Sequence, residues 1–226
     1  MSLIVENAPL FVAGLWATLR IAVVTLIAST LIGFAIGTMA TARTAWLRWI
    51  ARAYTEVLRA VPLIVNLFFV YFVAPLLGLA LSPYLAVVVG LSLWGGANAA
   101  EVVRGGLLAV PRHQRETARA LGLREWQVLL LVVIPQALRA IVPALAGLLV
   151  LLLQSTSLGA LVGVSEFFRV GQLVIERTTV MQGLDPAFGI YAFMLAVYFV
   201  LCSALTLVSR RLERRLGGRH LAAPAL

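Results

Sequence analysis

The chain has 226 residues, 62% of them hydrophobic and only 12% charged, with a mean hydropathy of +1.02. A soluble domain typically carries about 45–50% apolar and roughly 25% charged residues, and no single water-soluble core hides this much apolar surface behind so little charge. The formal charge is +9, yet all 18 basic residues are Arg, and the missing Lys excludes a P-loop nucleotide site, whose phosphates need one.

One Cys and two His argue against a disulfide scaffold or a zinc site. The fold class expected is therefore an all-α polytopic membrane protein. A spanning helix needs about 20 mostly apolar residues, and uncharged runs of that kind predict five spans. The first covers residues 10–42, with Arg20 snorkelling to one face. The uncharged run Ala60 to Ala100 is long enough for two spans, near 60–77 and 84–105, with Gly78, Ser82 and Pro83 supplying the break. The fourth is expected near 135–158 and the fifth near 186–209. Between them, residues 159–177 are amphipathic and broken by Gly163 and Gly171, which predicts a surface or re-entrant helix.

Arg placement sets the expected orientation, N-terminus out and C-terminus in. One side would hold Arg43, Arg48, Arg52 and Arg59, then Arg112, Arg115, Arg119 and Arg124, then Arg210, Arg211, Arg214, Arg215 and Arg219. The other side would hold only Arg169 and Arg177, beside Glu166, Glu176 and Asp185. Cytoplasmic loops carry such an excess. The net charge is thus a topology signal, and no nucleic-acid partner is expected. The segment Met1–Pro9 lacks the basic start of a cleavable signal peptide.

The loop 110–127 carries the most information. Pro111 can open a helix whose Arg112, Glu116 and Arg119 share one face, Gly122 can stop it, and a second short helix is expected from Arg124, with Trp126 at the interface. Such a helix–Gly–helix unit can dock into a groove on a soluble partner, or it can rest on lipid headgroups as an amphipathic hairpin.

Glu116-Thr117-Ala118, then Gly122, then Val132, Ile134 and Pro135, reproduce the spacing of the Glu-Ala-Ala loop of ABC importer permeases. Leu58-Arg59-Ala60-Val61-Pro62 through Asn66 resembles the Arg-Gly-Thr-Pro segment of that family's polar amino acid branch. Ala97-Asn98-Ala99-Ala100-Glu101-Val102-Val103-Arg104-Gly105-Gly106 is similar to its Ala-Tyr-x-Ala-Glu-x-x-Arg-Gly-Gly signature. Val110-Pro111, Ile134-Pro135-Gln136-Ala137 and Thr156-Ser157-Leu158 follow in the family's order. The chain departs from the pattern in places: Thr117 replaces the first Ala of the loop, His113 stands where Gly is usual, Asn98 where Tyr is usual, and Gln154 where Lys often precedes the Thr-Ser-Leu.

The resemblance implies the transmembrane permease subunit of an ATP-driven importer for a polar amino acid, in the bacterial cytoplasmic (inner) membrane. Alternatives are a permease for another small solute such as a quaternary amine, or a passive channel or membrane scaffold. Implied partners are ABC ATPase subunits, a second permease subunit and an extracytoplasmic substrate-binding protein. No cofactor is expected in this chain, with ATP and Mg on the ATPase. The chain itself would not be an enzyme.

For ATPase coupling the candidates are Arg59, Glu116, Thr117, Ala118, Arg119, Gly122 and Pro135. Polar groups inside lipid are costly unless paired or facing a cavity, which nominates Asn66, Asn98, Glu101, Arg104, Gln154, Ser155, Thr156 and Ser157 for the translocation path. Glu101 and Arg104 could equally be an ion pair anchoring a helix end. Asn66 and Asn98 could be interhelical glue, and the 154–157 patch ordinary helix capping. Gly95 and Gly96 would permit close helix approach or local unwinding.

Overall fold

A computed structural model describes residues 2–183 and 185–217. Arg219 lies outside the described residues, as does the side chain of Arg215. No strand occurs among the described residues, and the helices run as α1 (Ser2–Glu6), α2 (Ala8–Ala40), α3 (Ala45–Ala60), α4 (Leu63–Val73), α5 (Pro83–Ala109), α6 (Arg112–Ala120), α7 (Glu125–Gln127), α8 (Ile134–Ser155), α9 (Phe167–Gln182) and α10 (Ala187–Gly217).

The spine is the pair α2–α5. Helices in lipid gain no hydrophobic driving force from meeting, so close backbone packing of small residues must hold them. On α2 the buried Thr25, Ser29, Gly33 and Gly37 recur every fourth residue and form such a stripe. The facing stripe on α5 includes Gly95, Gly96, Ala99 and Ala100. A Cβ on Gly33 would lie 2.9 Å from the Ala99 backbone, and one on Gly37 would lie 2.7 Å from the Ala100 carbonyl. Of the two roles open to Gly95 and Gly96, α5 shows close approach, because it runs unbroken past both.

Among the described residues, four helical stretches are long and apolar enough to cross a membrane: Ala8–Ala40, Pro83–Ala109, Glu125–Val162 and Ala187–Arg214. A fifth candidate is the bent pair Ala45–Ala60 and Leu63–Leu77, whose halves meet at 103°. Pro62 causes the bend, since the residue before a proline is pushed out of the helical region. Val61 accordingly sits at φ −84°, ψ 132°. The Arg-bearing segment after the first span, for which the sequence reading assigned no structure, is thus the sixteen-residue helix α3. Past α4, a 3₁₀ turn ends at Gly78 (φ 81°), and Ser82 caps α5 by accepting the Leu85 N–H at 3.3 Å.

The fourth span corrects the sequence reading. The short helix expected from Arg124 is α7, but the span does not start at Pro135, because α7 continues into one helical stretch running from Glu125 to Val162. A π-helical turn over Val128–Val133 immediately precedes Pro135. Proline has no N–H to give, and an irregular turn ahead of it spares the helix the lost hydrogen bond. After a final 3₁₀ stretch and Gly163 (φ 86°), the chain enters α9, which buries Phe167, Val170 and Val174 against Phe11 of α2 and Ile190 and Met194 of α10.

Candidate functional site

Helix α6 is closed locally at both ends and hangs from the bundle by three separate attachments. Pro111 starts it, and its end is a Schellman closure: the Gly122 N–H donates to the Arg119 carbonyl at 2.9 Å and the Leu123 N–H to the Ala118 carbonyl at 3.2 Å. Gly122 has φ 84°, where a side chain is strained. Ala118 is only 4% exposed and packs into the main apolar core. Arg115 Nη2 donates to the Leu107 carbonyl at 2.6 Å, tying α6 to the end of α5. Burial, followed by the nearby Arg119, lowers the Arg115 pKa, while Glu125 opposes that shift.

Glu125 is the third attachment, and it was not among the sequence candidates. Its carboxylate accepts from Arg119 Nε at 2.7 Å and Arg119 Nη2 at 3.1 Å, and from Arg43 Nη2 at 2.7 Å. Arg43 comes from the turn after α2, so a single carboxylate joins three separate elements. The expected polar face of α6 is therefore divided by partners: Arg119 is engaged by Glu125, whereas Glu116 has no such partner; Arg112, Glu116, Thr117 and Arg119 are all exposed. Glu116 forms no hydrogen bond or ion pair among the described residues. Pro135 lies beyond the π turn on the long helix, off α6.

Within the bundle, Glu101 and Arg104 form the ion pair that their spacing allows. Arg104 Nη2 meets Glu101 Oε2 at 2.7 Å and Nε reaches both carboxylate oxygens at 3.2 Å. Arg59 Nη1 approaches the same Oε2 at 3.9 Å, which brings a residue from the coupling list to this pair. Asn66 Nδ2 donates to the Leu58 and Val61 carbonyls at 3.0 and 3.3 Å. It thereby satisfies carbonyls that the Pro62 break leaves without helical partners. Asn98 Nδ2 donates to Trp94 O at 2.9 Å, within its own helix. Neither amide is seen bridging two spans.

The 154–157 patch is divided by its own backbone. Ser155, Thr156 and Ser157 donate to the Leu151, Leu153 and Gln154 carbonyls at 2.8 Å each. Such back-bonding spends a hydroxyl's proton on the helix. Thr156 is fully buried, while Gln154 and Ser157 line an open groove of about 900 Å³ with Tyr198, Cys202, Thr206 and Arg210 of α10.

One polar cluster went unrecognised in the sequence, where Glu166 counted only as a loop charge. It is fully buried. Its Oε1 accepts the Arg169 N–H at 2.8 Å, and its Oε2 accepts the Phe168 N–H at 2.9 Å, Tyr198 Oη at 3.2 Å and Thr18 Oγ1 at 3.3 Å. The available signal was an acid directly before the apolar Phe167-Phe168, the pattern of a helix N-cap.

Residues 29–218 match the family described as binding-protein-dependent transport system inner membrane component. The chain is 34% identical over 213 residues to the glutamine transport system permease protein GlnP of Escherichia coli (strain K12), covering 92% of this chain and 93% of that one. It is 30% identical over 208 residues to the L-cystine transport system permease protein TcyB of Bacillus subtilis (strain 168), covering 92% and 87%. A solved amino acid ABC transporter with histidines superposes with a TM-score of 0.83 at 28% identity, over 94% of this chain and 96% of that one. An inward-facing MetNI methionine ABC transporter shares the fold, with a TM-score of 0.78 at 22% identity over 93% and 98%.

Proposed function

The chain belongs to the binding-protein-dependent transport system inner membrane components, and we propose that it imports a polar amino acid by alternating access, driven by separate ATPase subunits docked on α6. As a multi-pass inner-membrane permease of the amino acid ABC transporter class, it is not itself catalytic. The relatives named above transport glutamine and cystine, which favours a small zwitterion over a quaternary amine.

The observation that carries the proposal is the mounting of α6. A passive channel has no use for a nine-residue helix held at Ala118, Arg115, Arg119 and Gly122 while Glu116 stays free. A rigid mount lets force applied to α6 reach α5 through Leu107 and the long fourth helix through Glu125. In this reading α6 and the Arg-rich loops face the cytoplasm and the N-terminus faces outward. A second permease subunit completes the path, and a binding protein delivers solute to the other side. Glu101, Arg104 and Arg59 would form an ionic constriction near the α6 end of that path. Gln154 and Ser157 would offer amide and hydroxyl groups to a substrate's carboxylate and ammonium. ATP and Mg reside on the ATPase.

Reconstitution tests this. The chain is purified with whatever ATPase accompanies it and placed in liposomes with labelled polar amino acids. ATP-dependent accumulation supports the proposal, whereas ATP-independent equilibration, with no ATPase bound through α6, supports a channel and overturns it.

A further inference from the structure

Helix α3 lies nearly crosswise to α4, with a 103° change of direction at Pro62. Ala51 and Thr55 pack it against the bundle, and Tyr54 Oη donates to the Leu93 carbonyl of α5 at 2.7 Å. The rest of its surface is divided in a way that one solvent cannot satisfy. At about 100° per residue, Arg48, Arg52 and Arg59 fall within about 40° of one another, and so do Trp46, Ile50 and Val57, the two arcs lying about 160° apart. Trp46, Ile50 and Val57 are 61%, 41% and 61% exposed, and Trp49, at the shoulder between the arcs, is 71% exposed. An apolar face, an arginine face and an aromatic shoulder are the three requirements of a helix lying in a membrane interface.

We propose that α3 is an interfacial helix that binds the phosphate headgroups of anionic lipids through Arg48 and Arg52, in the leaflet on the α6 side, while Trp46, Ile50 and Val57 enter the acyl region. Arg52 is exposed, and its guanidinium makes no hydrogen bond or ion pair among the described residues. Arg48 uses Nη1 on the Ala42 and Arg43 carbonyls, the former at 2.9 Å, which holds the guanidinium at the start of the helix with Nη2 available. Arg59 is engaged with Glu101 and is not part of the lipid site. Glu56 is the lone acid on α3, so the charge of the helix favours an anionic surface. This inference does not depend on what the chain transports.

The test uses the full assembly in lipid nanodiscs and reads tryptophan quenching by brominated lipid. The α3 signal is the difference between the native protein and a Trp46→Phe, Trp49→Phe variant. Brominated phosphatidylglycerol, diluted into phosphatidylcholine, should quench that signal at lower mole fraction than brominated phosphatidylcholine does. Replacing Arg48 and Arg52 with Gln should reduce the preference about fivefold per arginine. Arg52→Gln alone, which removes no internal contact, gives the single step if the double variant does not fold. Glu56→Gln should preserve or raise the preference. Equal quenching by the two lipids, or an unchanged preference in Arg52→Gln, overturns the proposal. So does the absence of quenching by either lipid, because the face would then be covered by a second copy or another protein.

Discussion

Thr18 Oγ1 donates to Glu166 Oε2 at 3.3 Å and accepts the Phe167 N–H at 3.1 Å, closing a reciprocal loop between the middle of α2 and the first turn of α9. Both residues are fully buried. With Tyr198 as a further donor, one carboxylate fixes α9 to α2 and α10 at once. Each orphaned donor costs about 1–3 kcal/mol, so Glu166→Ala should lose about 3 kcal/mol or more, seen as a lower melting temperature in detergent. Glu166→Gln retains an acceptor oxygen and should lose less. Equal stability of all three proteins would show that the cluster does not hold α9.

Glu125→Gln should leave protein levels near normal, because the carboxylate is half-exposed and surface pairs contribute little. Uptake should fall several-fold as α6 loosens. Exchanging Arg119 and Glu125 should restore it only in part, since the new arginine would repel Arg43.

Glu116→Lys should cut amino acid uptake by about tenfold or more, equivalent to about 1.4 kcal/mol, with insertion and abundance unchanged. The residue is exposed and unpaired among the described residues, so no internal contact is lost. Normal uptake at normal protein levels would remove Glu116 from the coupling surface.

Gly122→Ala adds a Cβ that meets nothing within 4 Å, so any loss comes from the backbone at φ 84° alone. That conformation costs about 1–2 kcal/mol for a residue with a Cβ. Gly122→Asn should be milder, because Asn tolerates the left-handed region. A thermal-shift series across Gly, Asn and Ala should follow that order.

Gly33→Ala should cost about 1–3 kcal/mol through overpacking. Its Cβ would press on the Ala99 backbone, which cannot move aside as a side-chain tip would. Gly147→Ala, with nothing within 4 Å of the added Cβ, is the matched control and should be close to neutral.

Apolar runs and Arg asymmetry were enough to specify an all-α membrane chain, because lipid demands both in contiguous sequence. Gly122 as a helix stop and the Glu101–Arg104 pair were equally legible, since each depends on spacing within one helix. The path of the chain through Pro135 was not, because a π turn compensates the proline locally and leaves no apolar signature. Nor was the mounting of α6, since the partners of Glu125 come from the turn after α2 and from α6.

The sequence by itself determined what repeats along the chain: which stretches are apolar enough to enter lipid, where arginines gather, and where Gly122 stops a helix. Tertiary structure alone decided which polar groups are committed. Glu166 reads as one more loop charge until Thr18 and Tyr198 close over it, and Arg119 reads as a free arginine until Glu125 engages its guanidinium. A side chain's partners are set by where distant helices cross, and those crossings follow from the close fit of Gly33 against Ala99 and Gly37 against Ala100.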